Sequence, residues 1–220
     1  LDARNENAAA LEVYLAALRE DGESAELLRR IAKQHSQLIV DVRSRSEKKM
    51  HALESVRFAE RAVELDPDNA AARLSLAVCL GRLAELESPG RRIELARRVR
   101  KEAEAAARLD PAQDYAWHVL GRWHFEMATL NPALRVVAES VFGKFADATI
   151  DDAVKNFRKA IAAGPPRVVH HIELGRALLV AGETREGAEQ IRKGLSLPSA
   201  EKEDDATKAR GRAALRELEG

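Results

Sequence analysis

Four times along this chain a run of helix-forming residues is stopped by a proline, at Pro67, Pro111, Pro165 and Pro198. Proline lacks the backbone N–H and its ring clashes with the preceding turn, so it cannot continue a helix. The phrases that lead into these prolines are alike: Arg61 to Asp66-Pro67, Ala105 to Asp110-Pro111, Lys159 to Gly164-Pro165, and Lys193 to Pro198. Counting back from each proline, small or compact residues recur as triplets: Ser55, Ala59 and Ala62; Val99, Ala103 and Ala106; Ala153, Phe157 and Ala160; Gly187, Ile191 and Gly194. A spacing of four then three puts each triplet on one helical face, where a second helix can approach closely. These segments read as the second helices of four hairpins.

The first helices are marked by a bulky residue, a Leu three on, a Gly or Ala beside it, and a large residue three later. Trp117, Leu120, Gly121 and His124 fit best, then His171, Leu174, Gly175 and Leu178, then Arg73, Leu76, Ala77 and Leu80; Leu28, Ile31, Ala32 and His35 align more weakly. Paired helices with this pattern resemble the tetratricopeptide repeat, whose period is about 34 residues. The expected fold is an all-α, tetratricopeptide-like α-solenoid of about four irregular hairpins. One repeat domain is expected over 1–220, with repeats at about 24–68, 69–112, 113–166 and 167–199. The helical patterns over 5–20 and 201–218 are expected to be caps, because solenoid ends need a polar outer face.

The closing prolines lie 44, 54 and 33 residues apart, so the second and third repeats are expected to carry extra helix or loop. Ser88-Pro89-Gly90 marks the break in the second repeat. In the third, Asn131-Pro132 reads as the start of a short helix reaching Phe142 and ended by Gly143. Thr149, with Asp152 three later, reads as a capping box for the helix through Ala160.

Lys and Arg number 36, as do Asp and Glu, so the chain has no net charge and lacks the basic excess of a nucleic-acid binder. Cys79 is the single cysteine, which rules out an intramolecular disulfide and reads as a small buried apolar group. No stretch reaches the roughly 18 apolar residues of a membrane span. The start at Leu1 rather than methionine leads us to expect a soluble domain cut from a secreted or membrane-anchored precursor, with its compartment left open.

Several irregular phrases narrow the comparison. Ala25 to Ala32, Trp117 to Trp123, Val141 to Lys144, Ala148-Thr149 with Ala153 to Ala160, and Leu197-Pro198 followed by Glu201 to Asp204 together resemble the regulator of microtubule dynamics family. The similarity covers about residues 24 to 218, and the Ala- and Arg-rich wording suggests a bacterial homologue. The resemblance implies a tetratricopeptide-like domain. It also implies that association with microtubules, or phospholipid binding at contacts between mitochondria and endoplasmic reticulum, occurs among members.

In such a repeat array the first helices line a concave surface. Phased from Trp117, the expected ligand groove comprises Lys33 in the first repeat, Leu74, Val78 and Arg82 in the second, Tyr115, His118, Arg122 and Phe125 in the third, and Ile172, Arg176 and Leu179 in the fourth. Guanidinium forks suit carboxylate and phosphate oxygens, and an apolar floor adds area removed from water. The competing reading has these arginines laying their stems on the core and pairing with neighbouring Glu. Trp117 is expected in the core between paired helices, and Trp123 against the inserted helix.

His118 with His124, and His170 with His171, lack the i, i+4 spacing that sets two metal ligands on one helical face, so no metal is expected. No nucleophile elbow, phosphate loop or dinucleotide fingerprint is present, and no cofactor or catalytic residue is assigned. The expected function is therefore a non-enzymatic scaffold that holds an acidic or extended segment of a partner protein in the groove. The alternatives are a phospholipid-binding module, with Arg82, Arg122 and Arg176 at the headgroup, and a cytoskeleton-associated adaptor.

Overall fold

The structure, a computed structural model, describes residues 3–132, 135–136, 139 and 148–219. Among them are ten helices and no strand. They are α1 (Ala3–Asp21), α2 (Ala25–Asp41), α3 (Arg45–Leu65), α4 (Ala70–Glu85), α5 (Pro89–Leu109), α6 (Asp114–Ala128), α7 (Ile150–Ala163), α8 (Val168–Val180), α9 (Thr184–Ser196) and α10 (Asp204–Glu219). They fall into two compact units, Leu1–Asp110 and Pro111–Gly220. In the first unit α2 pairs with α3 and α4 with α5, α1 covers α2, and the first helices α2 and α4 touch. In the second, α6 pairs with α7 and α8 with α9, the first helices α6 and α8 touch, and α10 packs on both α8 and α9.

Local chemistry sets the helix ends. Ser24, Ser44, Asn69 and Thr149 each accept a hydrogen bond from the backbone N–H three residues on, satisfying a donor that the first turn leaves open. Thr149 also donates its hydroxyl to the Asp152 carboxylate at 2.7 Å, so the expected cap forms with Asp152 as acceptor. At the other end, α3, α5, α7 and α9 stop two residues before Pro67, Pro111, Pro165 and Pro198. Asp66, Asp110, Gly164 and Leu197 leave the helical conformation, as residues before proline must. The α8–α9 turn uses Gly182 at φ 86°, with Gly182 N–H on Leu179 O and Glu183 N–H on Leu178 O. That pair of bonds is the Schellman termination, which favours glycine at the left-handed position.

The triplets do what their spacing demands. Ser55, Ala59, Ala62, Ala103, Ala106, Ala153, Phe157, Ala160 and Ile191 have no accessible surface at all. Opposite them, a methyl group at Gly121 would sit 2.7 Å from the Phe157 ring, and one at Gly175 would sit 2.5 Å from Ile191 and 2.6 Å from the Gly187 carbonyl. Phe157 is itself fully buried among Ala153, Val154, Leu174, Ala177 and Leu178, so it joins the third hairpin to the fourth.

Two expectations are corrected, the extra element of the second repeat and the core position of Trp117. The second repeat carries no extra helix: Ser88 stands at the N-cap of α5, Pro89 is its first residue, and the added length lies in the 21 residues of α5 itself. Trp123 is the buried tryptophan, edge-on to His124. Trp117 is only partly buried, donating its indole N–H to Pro111 O at 2.8 Å under the Lys159 ammonium, which lies 4.2 Å from the ring centroid. The expected helix from Asn131 to Phe142 begins with Arg135 N–H on Asn131 O, and most of its length lies outside the described residues. Cys79 is buried, and burial pushes its thiol up to about 11.

Candidate functional site

In the first unit, Lys33 is exposed on α2 while Leu74, Val78 and Arg82 are partly buried on α4, the helix beside it. In the second, Arg122 is exposed on α6 and Arg176 is half-buried on α8. The Arg176 guanidinium lies 5.4 Å from the centroid of the Phe125 ring, a cation–π contact that ties α8 to α6.

The cations are not bare. Arg122 pairs with Glu126 one turn on at 2.6 Å, both side chains about half exposed, and such a pair contributes little. Arg176 holds Glu173 at 2.7 Å, and Arg210 of α10 reaches the same carboxylate at 3.3 Å. Two guanidinium groups thus share one buried carboxylate, which leaves a local cationic excess. The row is therefore less cationic than the sequence suggested, because helical spacing gives most of its arginines a glutamate partner.

Three of the expected groove residues do not line a groove. Ile172 is fully buried between α9 and α10: a methyl at Gly194 would lie 2.6 Å from its Cγ1 and one at Gly211 3.1 Å from its Cδ1. Leu179 turns toward the partner helix, its Cδ2 being 2.7 Å from where a methyl at Gly187 would stand. His118 is buried in a polar network that the sequence reading did not anticipate.

That network is built where the N-terminal ends of α6 and α8 and the turn into α10 meet. Arg167, the residue that precedes α8, donates Nε–H to Asp114 Oδ2 at 2.5 Å and a terminal N–H to Glu201 Oε1 at 2.6 Å. The Tyr115 hydroxyl donates to the other Glu201 oxygen. The Arg167 guanidinium also stands 4.9 Å from the Tyr115 ring centroid. His170 Nε2 lies 3.2 Å from Asp114 Oδ2, and its Nδ1 lies 3.1 Å from His118 Nδ1. A carboxylate only accepts, so His170 donates from Nε2 and its Nδ1 accepts from His118, with both rings neutral. The adjacent His171 turns the other way, to Gln190 at 2.8 Å.

Electrostatics agree with those tautomers. Burial, reinforced by His170, Arg122 and Arg210, holds His118 well below the usual histidine range. Burial also lowers His170, against the pull of Asp114. For Asp114 burial works upward, but the Arg167 and His170 hydrogen bonds outweigh it and keep the carboxyl ionised. Burial and the Glu201 carboxylate together push the Tyr115 hydroxyl above its ordinary value. In the first unit His35 and His51 meet at 2.9 Å through their Nδ1 atoms, and burial lowers His35 to about 4. Among the described residues no group of three His, Cys, Asp or Glu side chains is placed to hold a metal ion.

The model of the family "Regulator of microtubule dynamics protein 1-3" matches residues 1–219. The chain belongs to that family. Regulator of microtubule dynamics protein 3 of Bos taurus is 30% identical over 186 residues, covering 84% of this chain and 40% of that protein. Regulator of microtubule dynamics protein 1 of Caenorhabditis elegans is 26% identical over 187 residues, covering 84% of this chain and 82% of that protein. The chain thus spans about 40% of the length of several family members it matches. Among solved structures, a thermophilic tetratricopeptide-repeat protein of Thermus thermophilus superposes with a TM-score of 0.66 at 18% identity, covering 97% of this chain and 92% of its own. MamA superposes at 0.52 and 16% identity, with 94% of each chain covered. These likenesses show the fold, which is all-α and tetratricopeptide-like.

Proposed function

We propose that this member of the regulator of microtubule dynamics family is a non-catalytic binding module that holds a segment of a partner protein against its first helices. The observation that carries the reading is the surface where α6 meets α8. Arg122, Phe125 and Arg176 lie together there, with the Arg176 guanidinium over the Phe125 ring. The ion pair of Arg122 with Glu126 is half exposed, so an incoming carboxylate can take the place of Glu126 at little cost. Near Arg176 two guanidinium groups face one glutamate, so an acidic segment gains there as well. In the first unit, taken by itself, Lys33 on α2 and Leu74, Val78 and Arg82 on α4 form a second candidate patch. The phospholipid alternative gains no support from the concavity of about 740 Å³ at the α8–α9 turn, where Glu183, Glu186 and Glu189 outnumber Arg185, a balance that does not suit an anionic headgroup.

Peptides selected from a random display library on the full chain supply the probe. Calorimetry then compares the native chain with Arg122→Glu/Arg176→Glu. The reading expects acidic, apolar-containing peptides and a loss of at least about tenfold, equivalent to about 1.4 kcal/mol, in the double variant. Unchanged affinity contradicts it. Family membership favours a cytoskeletal partner as a second reading. Cosedimentation with polymerised tubulin tests that: enrichment in the pellet supports it, and recovery in the supernatant at every tubulin concentration sinks it.

A further inference from the structure

Arg167 is the arginine of the network that bridges two carboxylates from two directions. Asp114, buried at the start of α6, orients its Nε–H edge, and Glu201 takes the terminal N–H edge that faces outward. The Tyr115 hydroxyl completes a second donor for the same Glu201 carboxylate, so that each Glu201 oxygen has its own protein donor. Two convergent donors, one a guanidinium and one a phenol, make a binding geometry for any carboxylate. The group that fills it comes not from a helix but from the turn between α9 and α10.

The occupant and the receptor differ in how firmly they are held. On the receptor side, Asp114 and His170 are buried and fix Arg167 and the start of α8, and Tyr115 is packed edge-on against His118 and His170 at 5.9 and 5.3 Å. The Glu201 side chain is 35% exposed, and Ala200 beside it is exposed. Its backbone is tied instead to α10, where the Asp204 carboxylate accepts from Ala200 and Glu201 N–H at 2.8 Å each. The turn therefore keeps its shape when the Glu201 side chain rotates about its own bonds, and rotation toward solvent uncovers Arg167 and Tyr115 without unpacking α10.

We propose that Arg167 and the Tyr115 hydroxyl form a carboxylate-binding site which the chain fills in cis with Glu201, so that an external carboxylate enters as Glu201 swings out. This goes beyond the segment-binding reading and does not depend on it, because the α6–α8 surface of Arg122, Phe125 and Arg176 is a different set of residues. The ligand chemistry is a carboxylate, from an acidic side chain or from a chain end.

The test uses the full chain and three short probes: acetyl-Ala-Ala-Glu-amide, acetyl-Ala-Ala-Ala with a free C-terminus, and the carboxylate-free acetyl-Ala-Ala-Gln-amide. Binding is followed by calorimetry in the native chain, in Glu201→Ala and in Glu201→Ala/Arg167→Gln, with the Arg167 Nε–Hε resonance recorded in the first two and the melting temperature in all three. The proposal expects Glu201→Ala to bind at least one carboxylate probe about tenfold or more tighter than the native chain, the double variant to lose that gain, and the Gln probe to bind neither. Which of the first two probes gains identifies the source of the carboxylate. If Glu201→Ala melts lower and shows no gain for either probe, Glu201 is a structural tether and the proposal is overturned. Should Glu201→Ala fail to fold, Glu201→Gln replaces it with the same two outcomes. A gain that survives Arg167→Gln overturns it as well.

Discussion

Replacing Gly175 by alanine is expected to destabilise the chain even though alanine is the better helix former. A methyl group there meets Ile191 Cγ1 at 2.5 Å and the Gly187 carbonyl oxygen at 2.6 Å. Ile191 has some rotameric freedom, but the carbonyl belongs to the backbone of α9, so α8 and α9 must move apart. Overpacking of this kind costs about 1–3 kcal/mol, and a backbone obstacle argues for the upper half of that range. Against it stands the helix propensity of alanine over glycine, about 1 kcal/mol. The net loss is about 1–2 kcal/mol, which lowers the melting temperature by roughly 2–8 °C in a chain of this size. Gly81 in α4 supplies the control, since nothing lies within 4 Å of a methyl group there. Gly81→Ala keeps the propensity gain without the clash and should stabilise by up to about 1 kcal/mol. Thermal and urea melts by far-UV circular dichroism measure both variants. If Gly175→Ala melts at or above the native chain, or if the two substitutions shift stability in the same direction, the close approach of the hairpin helices is refuted.

His35, His51, His118, His170 and His171 are all lowered by burial, His35 to about 4. The unfolded chain takes up protons near pH 6.5 that the folded chain refuses, so stability is full above that value and is lost as pH falls from about 6.5 toward 4. The urea midpoint should therefore drop between pH 7 and pH 5, and His35→Leu should flatten that slope; equal midpoints contradict it. Thr149→Ala removes the cap of α7 and should cost about 1 kcal/mol, seen as faster amide exchange in its first turn; unchanged exchange would show that the cap is idle. Trp117 and Trp123 both lie in the second unit, so their fluorescence reports that unit while circular dichroism reports both. One repeat domain over 1–220 predicts coincident urea transitions, and separated midpoints would mean two domains.

The features legible in the sequence are those fixed by local spacing. Helix pitch alone puts Ala153, Phe157 and Ala160 on one face, and proline chemistry alone ends α3, α5, α7 and α9. Gly121 and Gly175 were readable for the same reason, since a small residue in that phase has a specific packing use. The polar network was not. Asp114 and Arg167 stand 53 residues apart, and they meet only because α6 and α8 are spatial neighbours. Arg at the residue before α8, facing an Asp that opens α6, was the available signal, but a single carboxylate in a first turn also reads as ordinary helix capping. Ile172 was misplaced because periodicity gives the angle of a residue on its helix and not what covers that angle; here α9 and α10 together cover it. The ion pairs of Arg122 and Arg176 could be read from i, i+4 and i, i+3 spacing, and they shrink the cationic row to what those glutamates leave over.

The central claim is that a partner segment lies against the first helices of the second unit. Its most direct test is a backbone and arginine side-chain resonance map of the full chain during titration with a library-selected peptide. The account predicts that the largest shifts fall on Arg122, Phe125 and Arg176 and vanish in Arg122→Glu/Arg176→Glu. Shifts concentrated on α7 or α9, or a titration unchanged in the double variant, would contradict it.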